Sequence, residues 1–116
     1  MADLKGLKNK RSGIAAYPLT ESDIVAANLC MQEAFPPGEQ FPIEQLLRFA
    51  AGDPARSWLD LWFLDQQFAG FTYTTKVPGD ADRTYLAYLA ISGALRGKGL
   101  GTEILRRVTA ENTETL

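Results

Sequence analysis

Apolar and polar residues repeat along this chain with two different periods, and the change of period divides it. Residues 14–17 form a short apolar run that reads as a strand and is ended by Pro18. Thr20 and Asp23 then resemble a helix start, with a hydroxyl able to cap free amides and a carboxylate near the positive end of the dipole. Ile24, Ala27, Met31 and Ala34 follow at helical spacing and predict a first helix to about Phe35. Pro36-Pro37-Gly38 breaks it. A second amphipathic helix is predicted from near Pro42, a residue tolerated in a first turn. Ile43, Leu46, Leu47 and Ala50 lie on one of its faces, and Gly52-Asp53-Pro54 closes it.

The pattern then becomes that of strands. Residues 58–64 are short and rich in aromatic and aliphatic side chains, as a largely buried strand should be. Asp65-Gln66-Gln67 can turn the chain into residues 68–76, and the two runs predict an antiparallel hairpin. Val77-Pro78-Gly79-Asp80 reads as a turn and residues 85–91 as the next strand. Leu100, Ile104, Leu105 and Val108 mark a last helix. The order β-α-α-β-β-β-α gives an α/β fold class, α+β in character, with helices interrupting a mixed sheet.

Composition narrows the chemistry. The 116 residues fit one domain, and a 46% apolar fraction is enough for a core. Twelve basic against fourteen acidic residues, net −2, supply no general attraction to nucleic acid or to a membrane surface. Lys5, Lys8, Lys10 and Arg11 cluster locally and read as a solvated basic leader over residues 1–12, ahead of a domain at 13–116. With one cysteine, Cys30, no intrachain disulfide forms, and its helical context suits a small buried thiol. The absence of histidine excludes Ser-His-Asp and Cys-His nucleophile systems and every histidine metal site, and no metal is expected. No apolar run approaches the ~20 residues that span a bilayer, and the basic N-terminus lacks the apolar region of a secretory signal. A cytoplasmic location is the expectation.

The chemistry concentrates after residues 85–91, where Arg96-Gly97-Lys98-Gly99-Leu100-Gly101-Thr102 opens the last helix. A helix start exposes amides without intrahelical partners, and the dipole favours anions there. Glycines at 97, 99 and 101 remove side chains that would hold a pyrophosphate away, and Arg96 and Lys98 add positive charge. The loop is a phosphate cradle. It is not a Walker A loop, because only Ala94, Leu95 and Arg96 separate Gly93 from Gly97 and Gly99 follows Lys98. Nor is it the dinucleotide fingerprint, because Thr102 stands where the third glycine belongs.

Arg96, Gly99 and Gly101 instead meet the pattern Arg/Gln-x-x-Gly-x-Gly/Ala, and the chain resembles the GNAT N-acetyltransferases from about Ile14 to Val108. The two preceding helices, the β-hairpin and the Phe-Ala-Gly-Phe of residues 68–71 agree with it. The resemblance implies acetyl-CoA as co-substrate and a primary amine as acceptor. Amides of Leu89 and Ile91 would then bind the pantetheine arm as an added strand does, and the amides of Gly97, Lys98, Gly99, Leu100, Gly101 and Thr102 would hold the pyrophosphate. Arg96 and Lys98 would line the approach. The oxyanion donor would be the amide of Leu89 or Ala90. Glu39 resembles an acidic position at the acceptor site of some relatives, and Tyr73 and Tyr88 are candidates to line that cleft. The strand at 85–91 itself holds no carboxylate to act as base.

A complete GNAT acyl-CoA N-acyltransferase fold continues with a fifth strand, a fourth helix and a terminal hairpin, and residues 109–116 are too polar to be that strand. The tyrosine often used as general acid would lie in the absent helix. A partial fold with a bare strand edge is therefore expected to pair with a second copy or a complementing segment. The alternative function is a non-catalytic CoA-binding or interaction module.

Overall fold

The computed structural model of the chain describes residues 4–13, 19–53, 55–77 and 79–114. The strand expected at 14–17 lies outside these residues. The first described strand, β1, is Leu7–Arg11, inside the segment assigned from sequence to a basic leader. Its sequence hides it, since Leu7 is its only apolar side chain. An edge strand needs only one buried face, and here that face is partly ionic. Arg11 donates through Nε and Nη2 to the two carboxylate oxygens of Asp60, each at 2.9 Å. Asn9 adds a third bond to Asp60 at 3.0 Å. Lys10 bridges to Asp23 at 3.0 Å and lies over the Phe63 ring. Lys10 and Arg11 thus serve tertiary structure, which leaves less charge for any external polyanion.

After β1 come α1 (Glu21–Ala34), a 3-10 turn at Pro37–Glu39, α2 (Ile43–Gly52), β2 (Ser57–Leu64), β3 (Gln67–Val77), β4 (Asp80–Ile91), a 3-10 turn at Gly93–Leu95 and α3 (Leu100–Glu114). The four strands form one antiparallel sheet in the order β1-β2-β3-β4. The Thr20 hydroxyl accepts from the Asp23 amide while the Asp23 carboxylate accepts from the Thr20 amide, a reciprocal cap that starts α1. Pro42 cannot cap α2 with a side chain. Asn28 of α1 does so from a distance, its Oδ1 accepting from the Ile43 amide at 2.9 Å.

The expected β2–β3 hairpin forms. Asp65 and Gln66 make a two-residue turn with φ of 50° and 73°, the handedness that matches the twist of the flanking strands. The next turn is tighter than its sequence suggests. Val77 pairs with Asp80, so β4 begins five residues before the expected Tyr85. Residues 80–84 are mostly polar and do not read as a buried strand. What extends pairing through them is the short connection with Gly79 at φ +80°.

The core lies on both faces of the sheet. On one face Leu59, Leu61, Phe71, Tyr73 and Ala90 pack against Ala27, Cys30 and Met31 of α1 and Ile43, Leu46 and Ala50 of α2. On the other, Trp62 and Ala69 pack with Leu7 and with Leu100, Ile104 and Val108 of α3. Leu105, counted from sequence in the apolar pattern of that helix, is 47% exposed. A bulge in β3 lets Phe68 and Phe71, three residues apart, share the first face. Among the described residues no helix is long and apolar enough to cross a membrane.

Candidate functional site

The site begins with the direction of backbone groups along β4. Ser92 donates its amide to Ala69 O at 2.7 Å, which makes 69 and 92 a directly bonded pair. In an antiparallel ladder such pairs alternate with unbonded ones. Ala90 opposite Phe71 is therefore bonded inward. Leu89 opposite Thr72 and Ile91 opposite Gly70 turn their amides and carbonyls away from β3. They face the outer edge of β4, where no other described strand pairs. Of the two amides considered for oxyanion contact, Ala90's is committed to the ladder and Leu89's is directed outward. Gly70 is what lets β3 approach so closely here, since a Cβ at that position would clash with the carbonyl oxygen of Ala90. Its role is invisible in sequence, where it reads as an ordinary strand glycine.

After the 3-10 turn Gly93–Leu95, the chain enters the glycine loop. Gly97 and Gly99 have φ of +82° and +79°, the left-handed region that side chains disfavour, so these two positions require glycine for backbone reasons. Glu103 donates to Gly99 O at 3.1 Å and closes the first turn of α3. The amides of Leu100, Gly101 and Thr102 precede that turn and have no intrahelical acceptor. Gly101 has ordinary helical backbone, and a Cβ there would meet Ile91 Cγ1 at 3.7 Å, ordinary van der Waals contact.

Charge around the cradle is arranged asymmetrically. Arg96 is exposed and donates through Nε to Ile91 O at 3.2 Å. Lys98 is exposed and makes no ion pair among the described residues. Glu103 would oppose an anion, but Arg106 at 2.6 Å and Arg107 at 3.0 Å bind it. Those bonds, Arg106's first, hold its carboxyl down at about 2. Arg107 also donates to Leu7 O at 2.6 Å and so anchors α3 to β1.

On the α1–α2 side, the Tyr88 hydroxyl donates to Glu39 O at 2.8 Å. Its ring stands edge-on to Phe35, with centroids 5.2 Å apart, and tilted to Phe71. Burial raises the phenol's pKa, and the Glu39 charge raises it further. Glu39, read from sequence as an acceptor-site acid, is thus joined through its backbone to Tyr88, the residue before Leu89. Tyr73 lies directly opposite Tyr88 on the inner strand β3. Its ring is buried among Leu59, Phe71 and α1 residues, so it belongs to the core and does not line a cleft. Tyr73 and Tyr88 share one face of the sheet, and the difference follows from strand position: Tyr73 lies on the inner strand β3 and is buried, whereas Tyr88 lies on the outer strand β4 and is only partly covered. The Tyr88–Glu39 contact spans 49 residues, and no local pattern announces it.

A search of curated proteins gives no match. Two solved structures resemble the fold. A GNAT-family protein from Desulfovibrio desulfuricans superposes with a TM-score of 0.71 at 17% identity, over 94% of this chain and 67% of that one. An acetyltransferase from Thermus thermophilus gives 0.63 at 23% identity, over 92% and 70%. The sequence profile of the acetyltransferase (GNAT) family matches residues 25–112, which include most of α1, all of α2, the hairpin, β4 and the glycine loop. The chain belongs to the acetyltransferase (GNAT) family.

Proposed function

We propose that this chain binds acetyl-CoA along the outer edge of β4 and transfers the acetyl group to a primary amine. One observation carries the reading: the outward amides of Leu89 and Ile91 are followed, after the 3-10 turn Gly93–Leu95, by the unpaired amides at the start of α3. An extended arm bearing amides pairs with a strand edge as an added strand does, and a pyrophosphate suits a glycine-lined helix start. A ligand with both features in that order has the chemistry of coenzyme A. Acyl transfer is the activity of the family.

Gly97, Lys98, Gly99, Leu100, Gly101 and Thr102 hold the pyrophosphate, and the Arg96 guanidinium with the Lys98 ammonium offset its charge. Leu89 and Ile91 orient the arm, with Ala90 packed beneath as the inward residue between them. When bound, acetyl-CoA supplies an activated acyl carbonyl. The Leu89 amide donates toward its oxygen as charge develops there, a contribution that preorganised donors make efficiently. Glu39 takes a proton from the acceptor ammonium, since only a neutral amine attacks. Holding both reactants in one orientation supplies much of the remaining acceleration.

Calorimetry with acetyl-CoA, followed by thiol release in the presence of a panel of primary amines, tests the reading. Binding with amine-dependent release of one thiol per acetyl group is expected. Binding without release on any amine would favour a CoA-binding module, and no binding at all would remove the site.

A further inference from the structure

The connection between α1 and α2 is fastened at both ends independently of the sheet. At its start, Phe35 donates its amide to Met31 O at 3.1 Å, and Gln40 Nε2 donates to Phe35 O at 2.7 Å. At its end, Asn28 accepts from the Ile43 amide at 2.9 Å and donates to Glu44 at 2.6 Å. The apex between them, the 3-10 turn Pro37–Glu39, is exposed and has no buried residue of its own. Among the described residues, one hydrogen bond joins this apex to the sheet, from the Tyr88 hydroxyl to Glu39 O. Tyr88 is itself braced between Phe35 and Phe71 and neighbours Leu89, whose amide faces the outer edge.

We propose that Tyr88 is a positioning residue: its hydroxyl fixes the Glu39 backbone against β4 and thereby aims the Glu39 carboxylate at the acceptor amine. The inference rests on the acetyl-transfer reading for its consequence but not for its geometry. A phenol held by two flanking rings loses little freedom when it donates, so the bond holds the apex without ordering any other element. Removing the hydroxyl leaves both fastened ends intact. The apex alone is released.

Tyr88→Phe keeps the ring contacts and deletes the bond, and two readouts follow it in the full chain. By hydrogen exchange, the amides of Glu39 and Gln40, which bond to Pro36 O and Pro37 O within the turn, exchange about tenfold faster, the factor of one net hydrogen bond. The amides of Phe35 and Ile43 stay as protected as before. In acetyl transfer to the panel amine that the wild type uses best, kcat/KM for the amine falls about tenfold while KM for acetyl-CoA is unchanged. Glu39→Gln costs less in the Tyr88→Phe background than in the wild type, because the two changes act on one unit.

Unchanged exchange at Glu39 and Gln40 overturns the proposal. So does an equal rise in KM for both substrates, which would mean general loosening of β4. If the wild type transfers acetyl to no amine, the acetyl-transfer reading fails, and the exchange result alone then decides what Tyr88 does.

Discussion

Gly101→Ala separates what the glycine loop does for folding from what it does for a ligand. Gly97 and Gly99 sit at positive φ, and alanine there costs about 1–2 kcal/mol from backbone strain alone. Gly101 carries no such constraint. It is the second residue of α3, and a methyl there meets Ile91 Cγ1 at 3.7 Å without clash. Glycine in a helix is about 1 kcal/mol worse than alanine, somewhat less near an end. The variant should therefore gain roughly 0.5–1 kcal/mol, which raises Tm by about 3–5 °C in a domain of this size. Ligand binding moves the other way. Cα–Cβ bonds in a helix lean toward its N-terminus, so the new methyl leans over the amides of the cradle. Losing one charge-assisted hydrogen bond to a phosphate oxygen costs about 1.5–3 kcal/mol, or roughly 10- to 100-fold in Kd. Differential scanning calorimetry and titration with acetyl-CoA measure both on one sample. A raised Tm with unchanged Kd would refute the cradle, and a lowered Tm would refute the helical placement of Gly101.

The remaining predictions concern stability and assembly. Cys30 is 3% exposed, and burial, aided by the Glu33 charge and opposed by Arg96, pushes its thiol up to about 11. A thiol reagent at pH 8 should react only as fast as the chain unfolds, and rapid labelling of folded protein would contradict the burial. Because the folded pKa lies above the ordinary 9.0, the stability linked to this thiol is full below about pH 9 and lost as pH rises through 11. Cys30→Ala should flatten that part of the melting curve against pH. Arg11→Met leaves Asp60, 1% exposed, with Asn9 as its remaining side-chain partner among the described residues and should cost about 3–5 kcal/mol by urea denaturation. Asp60→Asn should cost less, because Arg11 is 30% exposed and rehydrates, and the reverse order would overturn this account of the pair. The outer edge of β4 has no partner among the described residues, which predicts concentration-dependent sedimentation that acetyl-CoA reduces by occupying the same groups. A sedimentation coefficient constant with concentration would count against association through that edge.

Sequence alone determined the parts of this protein whose physics is local. Helical spacing found the core stripes of α1 and α2, with Ala27, Met31, Ile43, Leu46 and Ala50 all buried. Turn chemistry placed the β2–β3 hairpin, and the glycine spacing at 97, 99 and 101 located the helix start with its open amides. In each case a few neighbouring residues fix the backbone, so the signal survives in a short window. Tertiary structure decided everything that depends on a distant partner. β1 is polar in sequence and becomes a strand because Asp60, 49 residues away, neutralises Arg11. β4 extends to Asp80 because β3 offers it a ladder, though residues 80–84 show no buried pattern. Ladder phase, set by the pairing with Ala69 and Phe71, turns Leu89 and Ile91 outward and Ala90 inward. A single register slip would exchange those roles. Tyr73 and Tyr88 look alike along the chain and pair across the ladder, but the inner strand β3 buries the first in the core while the outer strand β4 leaves the second free to reach Glu39. Periodicity reports which residues share a face. Only the assembled sheet sets which backbone groups remain free to bind, because that depends on what each neighbouring strand has already used.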